Sequence, residues 1–195
     1  MIALLSIFLA AIFTNNIALT YLLGMCPFVS LSRNLKTSLG MGASVIFVVT
    51  ITAAVNWIIY RYVLVPTNSE LLEYIIFIIV IAGTVQLLEM IMEKFFPTMQ
   101  AVMGIFLPLI TVNCMVLAVS LFMVLRDYSF IKTLFFAVGS AVGWVLAMVI
   151  VAAIREKLEL IGSVPEGLKG AGITMIIAGI IALAFLGFAG MVSIQ

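Results

Sequence analysis

"NNIALTYLLGMCPF", residues 15–28, and "GIFLPLITVNCMVL", residues 104–117, are the two stretches on which the architecture turns. Each lies in a run apolar enough to cross a bilayer. Each also carries residues that a helix merely sitting in lipid would avoid: Asn15, Asn16, Gly24 and Pro27 in the first, Gly104, Pro108, Thr111 and Asn113 in the second. The chain's two cysteines, Cys26 and Cys114, fall one in each stretch. Proline lacks a backbone N–H and glycine takes φ values that other residues avoid, so the first run is expected to open around Gly24–Pro27. Unwound backbone at membrane depth persists only where it is buried in protein or lines a cavity.

Depth sharpens the point. The first apolar run covers residues 2–31. As one straight helix it would be about 45 Å long against a hydrocarbon core of about 30 Å, leaving Cys26 about 15 Å off-centre. A break brings the thiol inward. Cys114 stands 13 residues after Ala101 and 11 before Leu125, near the middle of its run.

Composition sets the solvent. The 195 residues are 66% hydrophobic and 9% charged, with a mean hydropathy of +1.39. A water-soluble domain of this size could not hide so much apolar surface, so the surroundings are lipid. A net charge of +1 gives no support for nucleic-acid binding. There is no histidine, which removes His-ligated haem, the usual zinc sites and Ser-His-Asp or Cys-His catalysis. Asp127 is the only aspartate, so paired-Asp chemistry is also excluded. The N-terminus lacks the basic n-region of a cleavable signal peptide and its apolar run is too long for one, so it reads as a retained span.

Runs of about 20 apolar residues mark membrane helices. Six are expected, at 2–31, 39–65, 71–94, 100–125, 129–154 and 170–193, forming a single all-α transmembrane domain over 1–195. The polar breaks between them are short: Ser32–Lys36, Pro66–Glu73, Glu93–Pro97, Arg126–Asp127 and Arg155–Lys169. Three spans per half would invert the second half relative to the first, giving pseudo-repeats of about 1–97 and 98–195, as in many transport folds. The first, third and fifth loops hold Arg33, Lys36, Lys94, Arg155, Lys157 and Lys169, against Arg61, Arg126 and Lys132 on the other side. The positive-inside rule then puts both termini outside the cytoplasm.

For the thiols three readings stay open: small hydrophobes in the packing, a disulfide between the halves, or metal ligands. A [2Fe–2S] cluster normally takes four thiolates. With two cysteines and no histidine here, such a cluster would have to sit on a subunit interface. Glu89 lies within an apolar run with Gln86 one turn earlier, and an intramembrane acid is a candidate for cation passage. Its plainer role is to reach headgroups or Lys94. Asn15, Asn16, Thr111 and Asn113 suit either hydrogen bonds to cluster sulfurs and a cation path, or satisfaction of opened backbone. "GSAVG" (139–143) is a small-xxx-small pattern for close helix packing.

"LLGMCPF", "LEMIMEKFFP", "GIFLPLITVNC", "RDYSF", "VGW", "AAIREKL" and "VPEGLKGAGITMIIAGIIALAFLGFAG" together resemble the NqrE/RnfA family over essentially the whole chain. "RDYSF", Val112 before Asn113 and "VGW" look more like the NqrE branch; "NN" at 15–16 and Pro27 after Cys26 look more like RnfA. The balance favours NqrE. The resemblance implies a bacterial inner-membrane subunit of the Na+-translocating NADH:quinone oxidoreductase, or of the Rnf ferredoxin:NAD+ oxidoreductase. It implies six helices as two inverted repeats, broken around Cys26 and Cys114. It further implies that these cysteines ligate an intramembrane [2Fe–2S] cluster shared with a paralogous subunit, NqrD-like or RnfE-like, in a six-subunit complex. The chain would then be a redox relay coupled to Na+ transport and not catalytic alone, with NADH, flavins and quinone bound by other subunits. The rival from another class is a small secondary transporter with incidental cysteines, against which stands the lack of a clear set of substrate-binding charges.

Overall fold

The computed structural model describes residues 2–32, 35–67, 70–95, 107–162 and 170–187. Every regular element among them is a helix. The first run is in three pieces, α1 (Ile2–Ile12), α2 (Ile17–Thr20) and α3 (Met25–Leu31). It is followed by α4 (Leu35–Ile59), which passes into a π-helical turn at Tyr60–Leu64 and a last turn, α5 (Val65–Thr67). Then come α6 (Glu70–Phe95), a second interrupted run of α7 (Leu107–Thr111) and α8 (Cys114–Leu125), α9 (Phe130–Ile161) and α10 (Ala171–Leu186). Three helical stretches, Ser38–Leu64, Leu72–Ile91 and Phe130–Ile161, are long and apolar enough to cross a membrane by themselves. Leu109–Leu125 and Ala171–Leu186 are shorter apolar helices.

The centre of the bundle is α9, which packs against α1, α2, α4, α8 and α10. Small residues let it approach α1 closely. A Cβ on Gly139 would stand 3.0 Å from the Phe8 carbonyl oxygen, and one on Gly143 would stand 3.0 Å from Ile12 Cα. The "GSAVG" segment therefore has the packing role expected of it. On the other side Gly42 of α4 admits Val145 of α9. Polar residues inside the bundle mostly bond the turn before them: Thr52 Oγ1 donates to Val48 O at 2.6 Å and Ser120 Oγ to Val116 O at 3.2 Å. Asn56 Nδ2 donates to Ser120 Oγ at 2.7 Å and ties α4 to α8.

The helix boundaries differ from the sequence expectation in several places, beginning with a break at Phe13–Asn16 where only the Gly24–Pro27 opening is expected. The first run opens before Pro27, at Leu22 (φ 53°) and Gly24 (φ 79°). Pro27 sits in the first turn of α3, where its missing N–H costs nothing. Pro108 likewise lies in the first turn of α7, and that run opens at Val112–Asn113. The helix expected to end at residue 154 continues to Ile161 and stops at Gly162 (φ 70°). Arg155 does not mark a loop. It is buried at 4% exposure, and its Nη1 donates to Ser32 Oγ at 2.6 Å and to Val29 O at 3.3 Å. The break expected from Glu93 begins later, since α6 runs on to Phe95; residues 96 and 97 and Gly104 lie outside the described residues.

Candidate functional site

The first run breaks twice, at Phe13–Asn16 and at Tyr21–Gly24, and the second once, at Val112–Asn113; the first and last of these share one device. Asn16 is the N-cap of α2 and its Oδ1 accepts from the Ala18 N–H at 3.1 Å; Asn113 is the N-cap of α8 and its Oδ1 accepts from the Met115 N–H at 3.1 Å. Both asparagines are extended, at φ −67°, ψ 110° and φ −74°, ψ 114°. Asparagine is among the best residues for this position because its short side chain reaches back to an unpaired helix N–H. The free ends differ. Asn16 Nδ2 donates to Ile12 O at 3.1 Å and to Gly143 O at 2.8 Å, so its amide bridges α1, α2 and α9. Asn113 Nδ2 is buried with no hydrogen-bond partner among the described residues.

A sulfur joins the breaks. The Gly24 N–H donates to Cys114 Sγ at 2.9 Å. Gly24 lies in the left-handed region and two residues before Cys26, so this bond holds the Cys26 segment against the start of α8. Only glycine fits. A Cβ there would stand 2.7 Å from Trp144 Nε1, 3.0 Å from Asn113 Oδ1 and 3.1 Å from Met115 Cβ. Trp144 is fully buried and packs edge-on to Phe28 of α3, centroids 5.4 Å apart at 82°. Its indole N–H also has no partner among the described residues.

Both thiols are free, Cys26 exposed on the bundle surface and Cys114 half-buried. Cys114 is the first residue of α8, where unpaired N–H groups and the helix dipole favour negative charge. Among the described residues no group of three or more His, Cys, Asp or Glu side chains stands together. The pair of thiols can therefore be at most half of a tetrathiolate site. The surroundings suit a sulfur-rich anion: two thiols on adjoining segments, a backbone N–H already on sulfur, and two buried N–H donors with no acceptor among the described residues.

The other candidates separate. Asn15 is half-buried in the turn after α1, its N–H donating to Ala10 O at 2.7 Å. Thr111 is half-buried and closes α7. Glu89 is half-buried on α6, Gln86 is exposed, and Glu89 takes no part in the hydrogen bonds that join the breaks. Trp144 joins the site without having been expected there from sequence. Its one signal at that level is general: an indole N–H that is buried usually finds a partner.

Long apolar helices around two interrupted ones that meet at a thiol define a polytopic membrane protein. The chain belongs to the Rnf-Nqr family, whose model, described as "Rnf-Nqr subunit, membrane protein", matches residues 4–192. It is similar to a protein of Psychromonas ingrahamii named as the E subunit of Na(+)-translocating NADH-quinone reductase, 47% identical over 196 residues, 95% of this chain and 96% of the relative. Proteins of the same name from Maridesulfovibrio salexigens and Aeromonas hydrophila are each 46% identical. They cover 96% and 95% of this chain and 98% and 96% of their own.

Proposed function

We propose that this chain is the membrane redox-relay subunit of a bacterial Na+-translocating NADH:quinone oxidoreductase. In this reading Cys26 and Cys114 give two thiolates to an intramembrane [2Fe–2S] cluster. The other two come from a paralogous six-helix subunit. The observation that carries it is the Gly24 N–H on Cys114 Sγ, which draws the two cysteine-bearing segments together although 90 residues separate them. The names of relatives at 46–47% identity support the NqrE branch over RnfA. Bound there, the cluster would supply one-electron transfer within the low-dielectric core. This chain's own part is to present two thiols, close the backbone behind them with Asn16 and Asn113, and exclude water with Phe28 and Trp144. NADH, flavins and quinone belong to other subunits.

The proposed topology has six crossings, α1–α3, α4, α6, α7–α8, α9 and α10, with both termini outside the cytoplasm and two inverted halves. The matching caps at Asn16 and Asn113 support the repeat. Replacing Cys26 or Cys114 with Ala in the whole complex tests the ligation. Cluster iron and quinone reduction are expected to be lost, while NADH oxidation with a soluble acceptor persists. Undiminished quinone reduction in assembled Cys26→Ala complex would overturn the proposal and return the thiols to packing.

A further inference from the structure

Two buried N–H groups stand at the join between α3 and α8 with no acceptor among the described residues: Asn113 Nδ2 and Trp144 Nε1. The orientation of Asn113 is not arbitrary, because its Oδ1 must accept from the Met115 N–H to cap α8. The end left over is therefore a donor. The corresponding amide of Asn16 has two carbonyl partners, so an idle amide is not a general property of this cap. Trp144 is equally pointed. Its ring packs on Phe28 as a phenyl would, yet it carries an N–H, placed 2.7 Å from where a Gly24 Cβ would be. The third donor, the Gly24 N–H, is on Cys114 Sγ. Thr133 Oγ1 and Ser140 Oγ are also buried without a partner among the described residues; what sets the Asn113 and Trp144 side chains apart is that both lie against Gly24, whose N–H is on the Cys114 sulfur.

We infer that Trp144 Nε1 and Asn113 Nδ2, beside the Gly24 N–H on Cys114 Sγ, are donors reserved for the non-protein sulfurs of the group held by the two thiols, and raise that group's reduction potential. The inference rests on the cluster reading above and adds to it the residues that tune the site. Hydrogen bonds to cluster sulfurs withdraw electron density and favour the more negative reduced state, so their loss lowers the potential. Trp144 and Asn113 are positioning residues in this scheme; neither is a ligand.

The test is a redox titration of the purified whole complex, following the cluster's electron paramagnetic resonance signal alongside iron content. Trp144→Phe keeps an aromatic ring against Phe28 and removes the N–H together with one ring of the indole. Asn113→Ser keeps an oxygen able to cap α8 and replaces the carboxamide, with its NH₂ donor, by a shorter hydroxyl. Each should retain the cluster while shifting its reduction equilibrium toward the oxidised form by about tenfold, which for one electron is about 59 mV. A full cluster at unchanged potential in both variants overturns this inference and leaves the cluster reading standing. No cluster signal in the unmodified complex, or an unaltered one in Cys114→Ala, removes the cluster reading and this inference with it. Should Trp144→Phe not assemble, Asn113→Ser decides by the same titration; failure of both to assemble would mark these N–H groups as structural and overturn the assignment.

Discussion

Among the described glycines Gly24 alone combines a positive φ with crowding at Cβ, and Gly24→Ala is expected to be a damaging small change. Its backbone is left-handed at φ 79°, and a methyl group would meet Trp144 Nε1 at 2.7 Å. The strained conformation alone costs of order 1–3 kcal/mol. A lower melting temperature of the complex and reduced cluster iron should follow together. The two capping asparagines give a sharper contrast. Asn16→Ser keeps an oxygen for Ala18 but removes the amide that bridges Ile12 O and Gly143 O, a loss of about 0.5–1.5 kcal/mol for each hydrogen bond. Asn113→Ser should melt near the parent temperature. Thermal unfolding of the two variants side by side checks this. At this scale much is legible in the sequence: the cysteines, Gly24 and the asparagines stand out because lipid offers them nothing. The division of labour between Asn16 and Asn113 is not, since it depends on Gly143 O arriving from a helix 127 residues away. Trp144 is hidden for a similar reason, an aromatic in an apolar helix being indistinguishable from packing until its N–H is seen to lack a partner.

Among the elements, α9 and the end of α4 depart furthest from what hydropathy suggests. A charge closing an apolar run reads as a membrane interface, which would end α9 at 154. Arg155 instead turns inward and grips the last turn of α3, where a cation complements exposed carbonyls. It thereby steadies the half-helix that carries Cys26. Arg155→Leu leaves the Ser32 and Val29 acceptors without this donor and should cost about 1–3 kcal/mol. Arg155→Lys, with one amine in place of a fork, should recover part of that in the same melting assay. The π-turn at Tyr60–Leu64 has a local cause. Pro66 cannot donate to residue 62, and its ring would crowd that carbonyl. The Val65 N–H bonds Tyr60 O across five residues and widens the turn to make room. Hydropathy has no term for this, because it scores the side chains and not the hydrogen-bond register. The cap at Asn113 is a case where local chemistry suffices: asparagine before an apolar run is a helix start in lipid as in water.

For the whole molecule, class and apolar runs follow from composition, whereas tertiary contacts decide which helices are whole. The final described helix, α10, has 16 residues, about 24 Å, against a core of about 30 Å. Orientation is proposed from charge. Setting aside the buried Arg155 leaves five basic residues against three, the same sign. Reporter fusions after Gln195 should therefore be active outside the cytoplasm and fusions near Lys36 inside it; a cytoplasmic C-terminus would refute the topology. Glu89→Gln separates the two roles open to that acid. If Glu89 lies on the ion path, turnover should lose its response to Na+ concentration while cluster iron is unchanged. The isolated chain, with two thiols alone, is expected to carry no iron.

The bond from Gly24 to Cys114 also sets a clock on biogenesis. Its partners are 90 residues apart, so at about 5–20 residues per second Cys114 leaves the ribosome roughly 5–18 s after Gly24. Throughout that interval the opened turn at Leu22–Gly24 is already in the insertion machinery without the sulfur or the indole that later enclose it. The join between the two cysteine-bearing segments is thus a late product of synthesis, closed only once the second half is inserted.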